Sequence, residues 1–147
     1  VDSDEHDEEG LLTESFDMRV RMHEKRLNKF NLMKEDLLEP TIEGNPDKKN
    51  LVIGWGSTYG VISEIVSDNP EFTHVHFEHI YPLPDSVEDL LRNADKIIVV
   101  ENNATGQFAN LLQMTYGIKL NQRILKYNGE PFHVDELEQK LKEKAHD

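Results

Sequence analysis

Two polar turns, each following a short apolar run, carry the side chains of this sequence that are best placed for chemistry. The first apolar run, residues 51–54, leads into Trp-Gly-Ser-Thr-Tyr-Gly at residues 55–60. The second, residues 97–100, leads into Glu-Asn-Asn-Ala-Thr-Gly-Gln at residues 101–107. Each pattern predicts a strand, a turn and the start of a helix. Ligands of open α/β sheets bind beyond the carboxyl ends of such strands, so we expect the two turns to lie side by side and form the working surface.

The first turn offers two interpretations. The spacing of Gly54, Gly56 and Gly60 departs from the dinucleotide fingerprint, in which the third glycine comes one residue earlier, and no Gly-Lys-Ser/Thr of a P-loop follows. Ser57 and Thr58 stand at the predicted start of a helix, where free N–H groups and the helix dipole attract anions. Alternatively, the glycines permit a tight strand-to-helix turn, and Ser57 or Thr58 caps the helix.

The second turn is more polar than a turn requires. Glu101 follows a predicted buried strand, so its carboxylate must find a partner. Asn102 and Asn103 supply both donors and acceptors, and Thr105 is the predicted cap of the next helix. The turn is either a recognition surface or a polar loop whose groups satisfy one another. The candidate interface or anion-binding residues of both turns are Gly54, Gly56, Ser57, Thr58, Glu101, Asn102, Asn103, Thr105, Gly106 and Gln107.

No catalytic set and no metal site is predicted. Ser57 lies outside any Gly-x-Ser-x-Gly elbow. His74 and His76 share one face of a predicted strand and His79 follows, but a third ligand of suitable geometry is not evident. We therefore expect a histidine pair on a half-exposed strand. The acidic residues 1–14 lack the glycine and distant glutamate of an EF-hand loop, and they predict an extended, solvated linker.

Composition excludes several classes of function. The chain has 147 residues, 37% hydrophobic and 31% charged, with a formal net charge of −13. An acidic surface repels nucleic-acid phosphates and anionic membranes. The absence of cysteine removes disulfides, thiolate zinc sites and Fe–S ligation by this chain. It also fits a reducing cytoplasm, and no apolar run is long enough to span a bilayer.

The order of elements predicts a three-layer α/β/α fold with a mainly parallel sheet and an N-terminal linker helix. Residues 1–49 are predicted to be an acidic linker, a helix over 16–38 and a Pro/Gly-containing loop. The apolar face of that helix is predicted to include Met18, Met22, Phe30, Met33 and Leu37, with Val20 and Leu27 widening it. Residues 50–147 are predicted to form the α/β domain. Its predicted strands cover 51–54, 72–77, 96–100 and 123–125, and its predicted helices cover 58–67, 87–93, 105–116 and 135–144.

Three motifs resemble the C-terminal part of the alpha subunit of 2-oxoacid:ferredoxin oxidoreductases. They are Gly-Trp-Gly-Ser-Thr-Tyr-Gly at 54–60, Tyr-Pro-Leu-Pro at 81–84 and the Glu-Asn-Asn-Ala-Thr-Gly-Gln turn at 101–107. The acidic start, the helix around 22–29 and residues 124–132 look similar too, so the resemblance spans nearly the whole chain. The nearest branch uses 2-oxoglutarate or a broad range of 2-oxoacids.

This resemblance implies a transketolase C-terminal-like domain that carries no catalytic residue. The whole enzyme would convert a 2-oxoacid, coenzyme A and oxidised ferredoxin to an acyl-CoA, CO2 and reduced ferredoxin. Thiamine diphosphate, Mg²⁺, an Fe–S cluster and coenzyme A would be bound elsewhere. The implied partners are an upstream alpha-subunit domain, the thiamine-binding beta subunit and ferredoxin. Since the chain begins at Val1 in an acidic run, we also expect it to be a fragment of a longer polypeptide or a processed chain. The alternative is a stand-alone nucleotide- or anion-binding regulatory module.

Overall fold

A computed structural model describes residues 4–45, 47, 50–120 and 122–146. The chain divides into two compact units, Val1–Leu37 and Leu38–Asp147. Among the described residues, no helix is both long enough and apolar enough to cross a membrane.

The first unit is a β-hairpin followed by a long helix. Strands β1 (Glu5–His6) and β2 (Leu12–Thr13) pair antiparallel. Helix α1 (Phe16–Met33) is followed by a 3-10 turn, Lys34–Asp36. The hydroxyl of Ser15 accepts a hydrogen bond from the backbone N–H of Met18 and so caps the start of this helix.

The prediction of an extended acidic linker is wrong for the described residues 4–14. Like charges repel along this stretch, but arginines of α1 offset that repulsion. Arg26 Nη2 lies 2.6 Å from Glu5 Oε2, and Arg21 Nη2 lies 2.9 Å from Glu8 Oε1. The hydrogen bond from Arg26 lowers the pKa of Glu5 to about 2. Residues 1–3 of the predicted linker lie outside the described part of the chain.

A five-stranded sheet forms the centre of the second unit. The strands are β3 (Thr41–Gly44), β4 (Asn50–Trp55), β5 (Phe72–Phe77), β6 (Lys96–Glu101) and β7 (Gln122–Leu125). Their spatial order is β3-β5-β4-β6-β7. All neighbouring pairs are parallel except β3 with β5, which is antiparallel. The predicted mainly parallel α/β fold is therefore confirmed.

Helices cover both faces of this sheet. They are α2 (Tyr59–Asp68), α3 (Glu88–Arg92), α4 (Gln107–Tyr116) and α5 (Val134–His146). Because side chains alternate along a strand, Leu51 and Ile53 pack with residues of α3 and α4, whereas Val52 packs with residues of α2 and α5. Both faces of the central strands are buried, which explains their continuous apolar sequences.

The sheet begins earlier than the sequence predicts. Thr41–Gly44, predicted as loop, is an edge strand that pairs with Thr73–His76. This edge strand alternates between half-buried and exposed residues, so it lacks the apolar run that marks the central strands. Pro46, Lys48 and Lys49 of the predicted loop lie outside the described residues.

Candidate functional site

The two polar turns lie beside each other, as predicted. Strands β4 and β6 are parallel neighbours, with Ile53 opposite Val99, so the turns that follow them leave the same edge of the sheet. A cleft of about 440 Å³ opens there. It is lined by residues from both turns and from the loop between β7 and α5, namely Ser57, Asn102, Lys126, Tyr127, Gly129, Glu130 and Pro131.

The three glycines of the first turn have three different roles. A Cβ on Gly54 would lie 2.5 Å from Ile62 Cδ1 and 2.6 Å from Thr58 Oγ1, so packing requires glycine there. Gly56 has a φ of +56°, a backbone conformation that favours glycine. Gly60 has open space around the position of a Cβ. Two glycines therefore shape the strand-to-helix turn, which supports the structural interpretation.

The side chain of Thr58 forms hydrogen bonds within the turn and none with the start of α2. Its hydroxyl accepts a hydrogen bond from the N–H of Trp55 at 3.1 Å and donates one to the carbonyl of Trp55 at 3.0 Å. Its side chain makes no capping hydrogen bond to α2, so the predicted capping of that helix by Thr58 is wrong; the bond with the Trp55 N–H belongs to a 3-10 turn, Gly56–Thr58, that precedes α2. Ser57 is exposed and lines the cleft. Anion binding by Ser57 at this helix start stays a prediction.

Glu101 is fully buried and finds its partners at the start of α4. Its Oε2 accepts hydrogen bonds from the N–H of Phe108 at 2.9 Å and from Asn103 Nδ2 at 2.7 Å. Its Oε1 accepts one from the N–H of Ala109 at 3.0 Å. The N–H groups of Phe108 and Ala109 are backbone donors that a helix N-terminus leaves unpaired, and the positive end of the helix dipole favours a carboxylate there. Glu101 therefore occupies this helix start itself.

Asn103, not Thr105, satisfies the backbone before α4. Asn103 Oδ1 accepts hydrogen bonds from the N–H groups of Thr105, Gly106 and Gln107 at 3.1, 2.7 and 3.3 Å. The N-cap residue is Gly106, with a φ of +63°, so the predicted Thr105 cap is wrong. A Cβ on Gly106 would also lie 2.8 Å from Arg123 Nη1. One amide oxygen thus replaces the local cap that Thr105 would have provided.

Some residues of the second turn hold it in place through hydrogen bonds, and others are exposed to solvent. Glu101, Asn103 and Gly106 hold the turn and the helix in place. Asn102 is exposed and lines the cleft, and Thr105 and Gln107 are exposed as well. The polar groups of this turn therefore largely satisfy one another, and a recognition role for Asn102, which lines the cleft, stays a prediction.

The loop between β7 and α5 also lines the cleft, although the sequence analysis names none of its residues as a site candidate. Lys126 is nearly buried, with its Nζ 2.6 Å from Glu136 Oε2 and 5.8 Å from the centre of the Phe132 ring. The hydrogen bonds from Lys126 and Lys140 lower the pKa of Glu136 to about 2. Tyr127 is 72% exposed. The signal that could have identified this loop is its position after a third parallel strand next to β6.

His74 and His76 are buried, so the predicted half-exposed pair is wrong. Their rings lie 5.3 Å apart, and the Tyr59 ring lies 4.9 Å from that of His76. Glu43 of the edge strand binds His74 Nδ1 at 2.8 Å and accepts a hydrogen bond from the Tyr59 hydroxyl at 2.7 Å. His74 Nε2 and His76 Nδ1 are buried without a hydrogen-bond partner. Within the described ranges, no group of three His, Asp or Glu side chains is arranged to hold a metal ion.

Burial lowers the pKa of both histidines below the usual value of 6.5. For His74, the attraction of Glu43 opposes this shift without cancelling it. For His76, the repulsion by His74 adds to the effect of burial. Both rings are therefore neutral in the folded protein at neutral pH, and burial of the neutral rings favours the folded state only while they stay unprotonated.

We expect the free energy of unfolding to fall as the pH is lowered from about 7.5 to about 5.5. These histidines have a higher pKa in the unfolded chain than in the folded chain, so they bind protons first in the unfolded chain as the pH falls. This proton uptake stabilises the unfolded state relative to the folded state. Urea denaturation across this range should show the decline, and His76→Gln should reduce its slope. His133, which is exposed, provides the matched control His133→Gln. Equal slopes for all three proteins would contradict the explanation.

Known proteins that are similar in sequence to this chain share one description. The chain is 38% identical over 143 residues to the alpha subunit of 2-oxoacid:ferredoxin oxidoreductase 1 from Sulfurisphaera tokodaii, covering 94% of this chain and 23% of that subunit. It is 33% identical over 147 residues to the corresponding alpha subunit from Saccharolobus solfataricus, covering 95% and 23%. The chain therefore spans about a quarter of the length of these curated relatives. No family model matches it.

Solved structures that are similar to this chain belong to the same class of oxidoreductase. The 2-oxoglutarate:ferredoxin oxidoreductase from Magnetococcus marinus, with 2-oxoglutarate, coenzyme A and succinyl-CoA bound, matches with a TM-score of 0.81 and 27% identity, covering 95% of this chain and 25% of that one. The alpha chain of a probable 2-oxoacid ferredoxin oxidoreductase from Thermoplasma acidophilum matches with a TM-score of 0.52 and 28% identity, covering 74% and 98%. The resemblance predicted from the sequence is confirmed, since the homologues are named as alpha subunits of these oxidoreductases.

Proposed function

We propose, from the homology of this chain to about a quarter of the alpha subunit of 2-oxoacid:ferredoxin oxidoreductases, that it is the non-catalytic C-terminal domain of such a subunit. The complete cytoplasmic enzyme converts a 2-oxoacid, such as 2-oxoglutarate or pyruvate, with coenzyme A and oxidised ferredoxin to an acyl-CoA, CO2 and reduced ferredoxin. In this proposal the domain helps to assemble the rest of the alpha subunit and the beta subunit around the active site.

The observation that carries this proposal is the extent of the match. Relatives with this name align over nearly the whole chain, and the structural neighbour from Magnetococcus marinus superimposes over 95% of it. A match of this length at 38% identity includes the sheet, both turns and the β7–α5 loop. It covers only part of each relative, so the proposal assigns to this chain one domain of a larger assembly.

The chemistry of the described residues favours a non-catalytic role for this domain. Glu101, a buried carboxylate at this edge of the sheet, accepts hydrogen bonds from backbone N–H groups of α4 and from Asn103, so its oxygens serve to hold the turn. The chain has no cysteine, so it does not supply the thiolates that hold Fe–S clusters. Thiamine diphosphate supplies the decarboxylation chemistry in this class of enzyme. Among the residues that the structure describes, no three His, Asp or Glu side chains are grouped so that they could hold its Mg²⁺.

The cleft at the sheet edge is the proposed contact surface. Tyr127 exposes an aromatic ring, and aromatic residues are enriched in protein interfaces. Ser57 and Asn102 present uncharged polar groups beside it. The cation that lines this cleft, Lys126, already binds Glu136, and Glu130 adds a negative charge nearby. A protein surface therefore suits this cleft better than a polyphosphate does.

In the complete enzyme, Asn102→Arg is expected to weaken the association of the subunits at least about tenfold, because a long cation enters a packed interface. The matched control is Met114→Arg, because Met114 is 79% exposed and lies in the second half of α4, away from this edge. Sedimentation velocity measures the association, and the KM for coenzyme A is measured in parallel. A raised KM with unchanged association would contradict the assembly role and favour anion binding.

The alternative is a stand-alone nucleotide- or anion-binding module, and one feature favours it. Ser57 lies at a helix start beside the cleft that Lys126 also lines. Titration calorimetry with NAD, ATP and coenzyme A tests this alternative directly. A dissociation constant of roughly 1–10 μM for any of them would support it, whereas no measurable heat would favour the assembly role.

A further inference from the structure

Asn128 and Gly129 form the one Asn-Gly pair of the sequence, and they lie in the loop between β7 and α5. Both residues are exposed. The loop is held in place on either side of them. The N–H of Lys126 donates a hydrogen bond to the carbonyl of Glu101 at 3.1 Å, and the side chain of Phe132 is buried. The pair is therefore the accessible part of an otherwise anchored segment.

The side chain of an asparagine that precedes glycine is open to attack by the next backbone nitrogen, because glycine has no Cβ to crowd the approach. The attacking nitrogen forms a bond to Cγ and gives its proton to water. The bond from Cγ to the amide nitrogen breaks, and that nitrogen takes a proton from water and leaves as ammonia. Water then opens either C–N bond of the resulting cyclic imide and yields aspartate or isoaspartate. Water is the only co-reactant.

The fold leaves the attacking nitrogen of Gly129 available for this reaction. In the described part of the chain, the N–H of Gly129 donates no hydrogen bond to a protein group, whereas N–H groups within helices and strands are mostly paired. The φ of Gly129 is +90°, and a Cβ built on it meets no atom within 4 Å. Water therefore has access to this nitrogen.

The next residue holds and polarises the amide that is attacked. Asn128 Oδ1 accepts a hydrogen bond from the N–H of Glu130 at 3.1 Å, and Asn128 Nδ2 donates one to Glu130 Oε2 at 3.4 Å. The backbone N–H stabilises the negative charge that the side-chain oxygen acquires as the nitrogen adds to Cγ. Asn102 is exposed at the same edge, but its successor is Asn103, whose side chain crowds the corresponding attack.

We propose that Asn128 is a site of spontaneous deamidation in the folded chain, which converts an uncharged amide at the cleft into a carboxylate. Gly129 and Glu130 line the cleft, so the product places a second negative charge beside Glu130. The modification itself does not depend on the function proposed above. Its consequence rests on that function: a partner surface that covers the cleft shields the loop, so the unassembled chain is the form that is modified.

Incubation of the 147-residue chain at neutral pH tests the modification. Ion-exchange chromatography should show a more acidic species that accumulates with time, and peptide mass spectrometry should place aspartate and isoaspartate at position 128. Asn128→Gln should abolish this species, because the longer side chain requires a larger ring, and Asn102→Gln is the matched control that should leave it unchanged. Gly129→Ala should slow its formation at least about tenfold.

A synthetic peptide of residues 124–133 sets the time over which conversion is expected without the fold. The folded chain should convert at least as fast as this peptide, since the N–H of Glu130 polarises the attacked amide. No conversion of the folded chain within that time, or equal conversion at Asn102 and Asn128, would overturn the proposal.

The shielding is tested separately, by the same mass spectrometry on the complete enzyme. Conversion at Asn128 should be at least about tenfold slower there than in the isolated chain, because a covered loop must first be uncovered. Asn128→Asp should also weaken the association of the subunits relative to Asn128→Gln, since it adds the charge that the modification produces. Equal rates in the two forms would overturn the shielding and the contact role of the cleft, whereas the isolated chain alone decides whether the modification occurs.

Discussion

Replacing Glu101 with alanine is expected to lower the free energy of unfolding by about 3 kcal/mol or more. The substitution removes a fully buried carboxylate and leaves the N–H groups of Phe108 and Ala109 without their acceptor. Unpaired buried donors carry the full cost of their lost hydration, and the start of α4 also loses a favourable negative charge. Urea denaturation monitored by circular dichroism gives the change.

Two matched variants separate the hydrogen bonds from other effects of the substitution. Glu101→Gln keeps the shape of the side chain and one acceptor oxygen, so its loss should be smaller, about 1–2 kcal/mol. Asn102→Ala changes the exposed neighbour and should alter stability by less than about 0.5 kcal/mol. A loss below about 1 kcal/mol for Glu101→Ala would show that this carboxylate does not hold the turn.

Gly54→Ala and Gly60→Ala are expected to change stability in opposite directions. The new Cβ at Gly54 meets Thr58 Oγ1 at 2.6 Å, and that hydroxyl is fixed by two hydrogen bonds to Trp55, so we expect a loss of about 1–3 kcal/mol. At Gly60 the Cβ enters open space within α2, so we expect a gain of about 0.4–1 kcal/mol from the stiffer unfolded chain.

The same denaturation measurement serves both glycine variants, and each controls for the other because the chemical change is identical. If both variants destabilised the chain equally, Gly60 would be as constrained as Gly54. That result would contradict the structural interpretation, in which Gly54 and Gly56, but not Gly60, shape the turn.

The two central turns could be predicted from the sequence because local patterns determine them. The apolar run of β6, Ile97 to Val100, and the glycines after β4 specify strand and turn without information from elsewhere in the chain. Parallel strands must leave the sheet at the same edge, so the fold class places both turns at that edge, whereas their neighbouring position depends on the strand order, in which β4 lies next to β6. The antiparallel edge strand β3 was missed, because four residues with alternating exposure resemble a loop.

The partners of Glu101 could not be read from local patterns. Its carboxylate reaches backbone groups seven and eight residues further along the chain, and only the packing of α4 on the sheet brings them together. The same reason explains why Asn103 displaces Thr105 as the group that satisfies the helix start. Burial of His74 and His76 likewise depends on the edge strand that the sequence analysis had assigned to a loop.

The proposed role of this chain is tested most directly by an activity measurement on the isolated 147 residues. The chain is supplied with thiamine diphosphate, Mg²⁺, coenzyme A, 2-oxoglutarate or pyruvate, and oxidised ferredoxin, and ferredoxin reduction is followed by absorbance. A complete 2-oxoacid:ferredoxin oxidoreductase serves as the positive control. We predict a rate equal to that without protein. Ferredoxin reduction that rises in proportion to the concentration of the isolated chain would contradict the assignment of a non-catalytic domain.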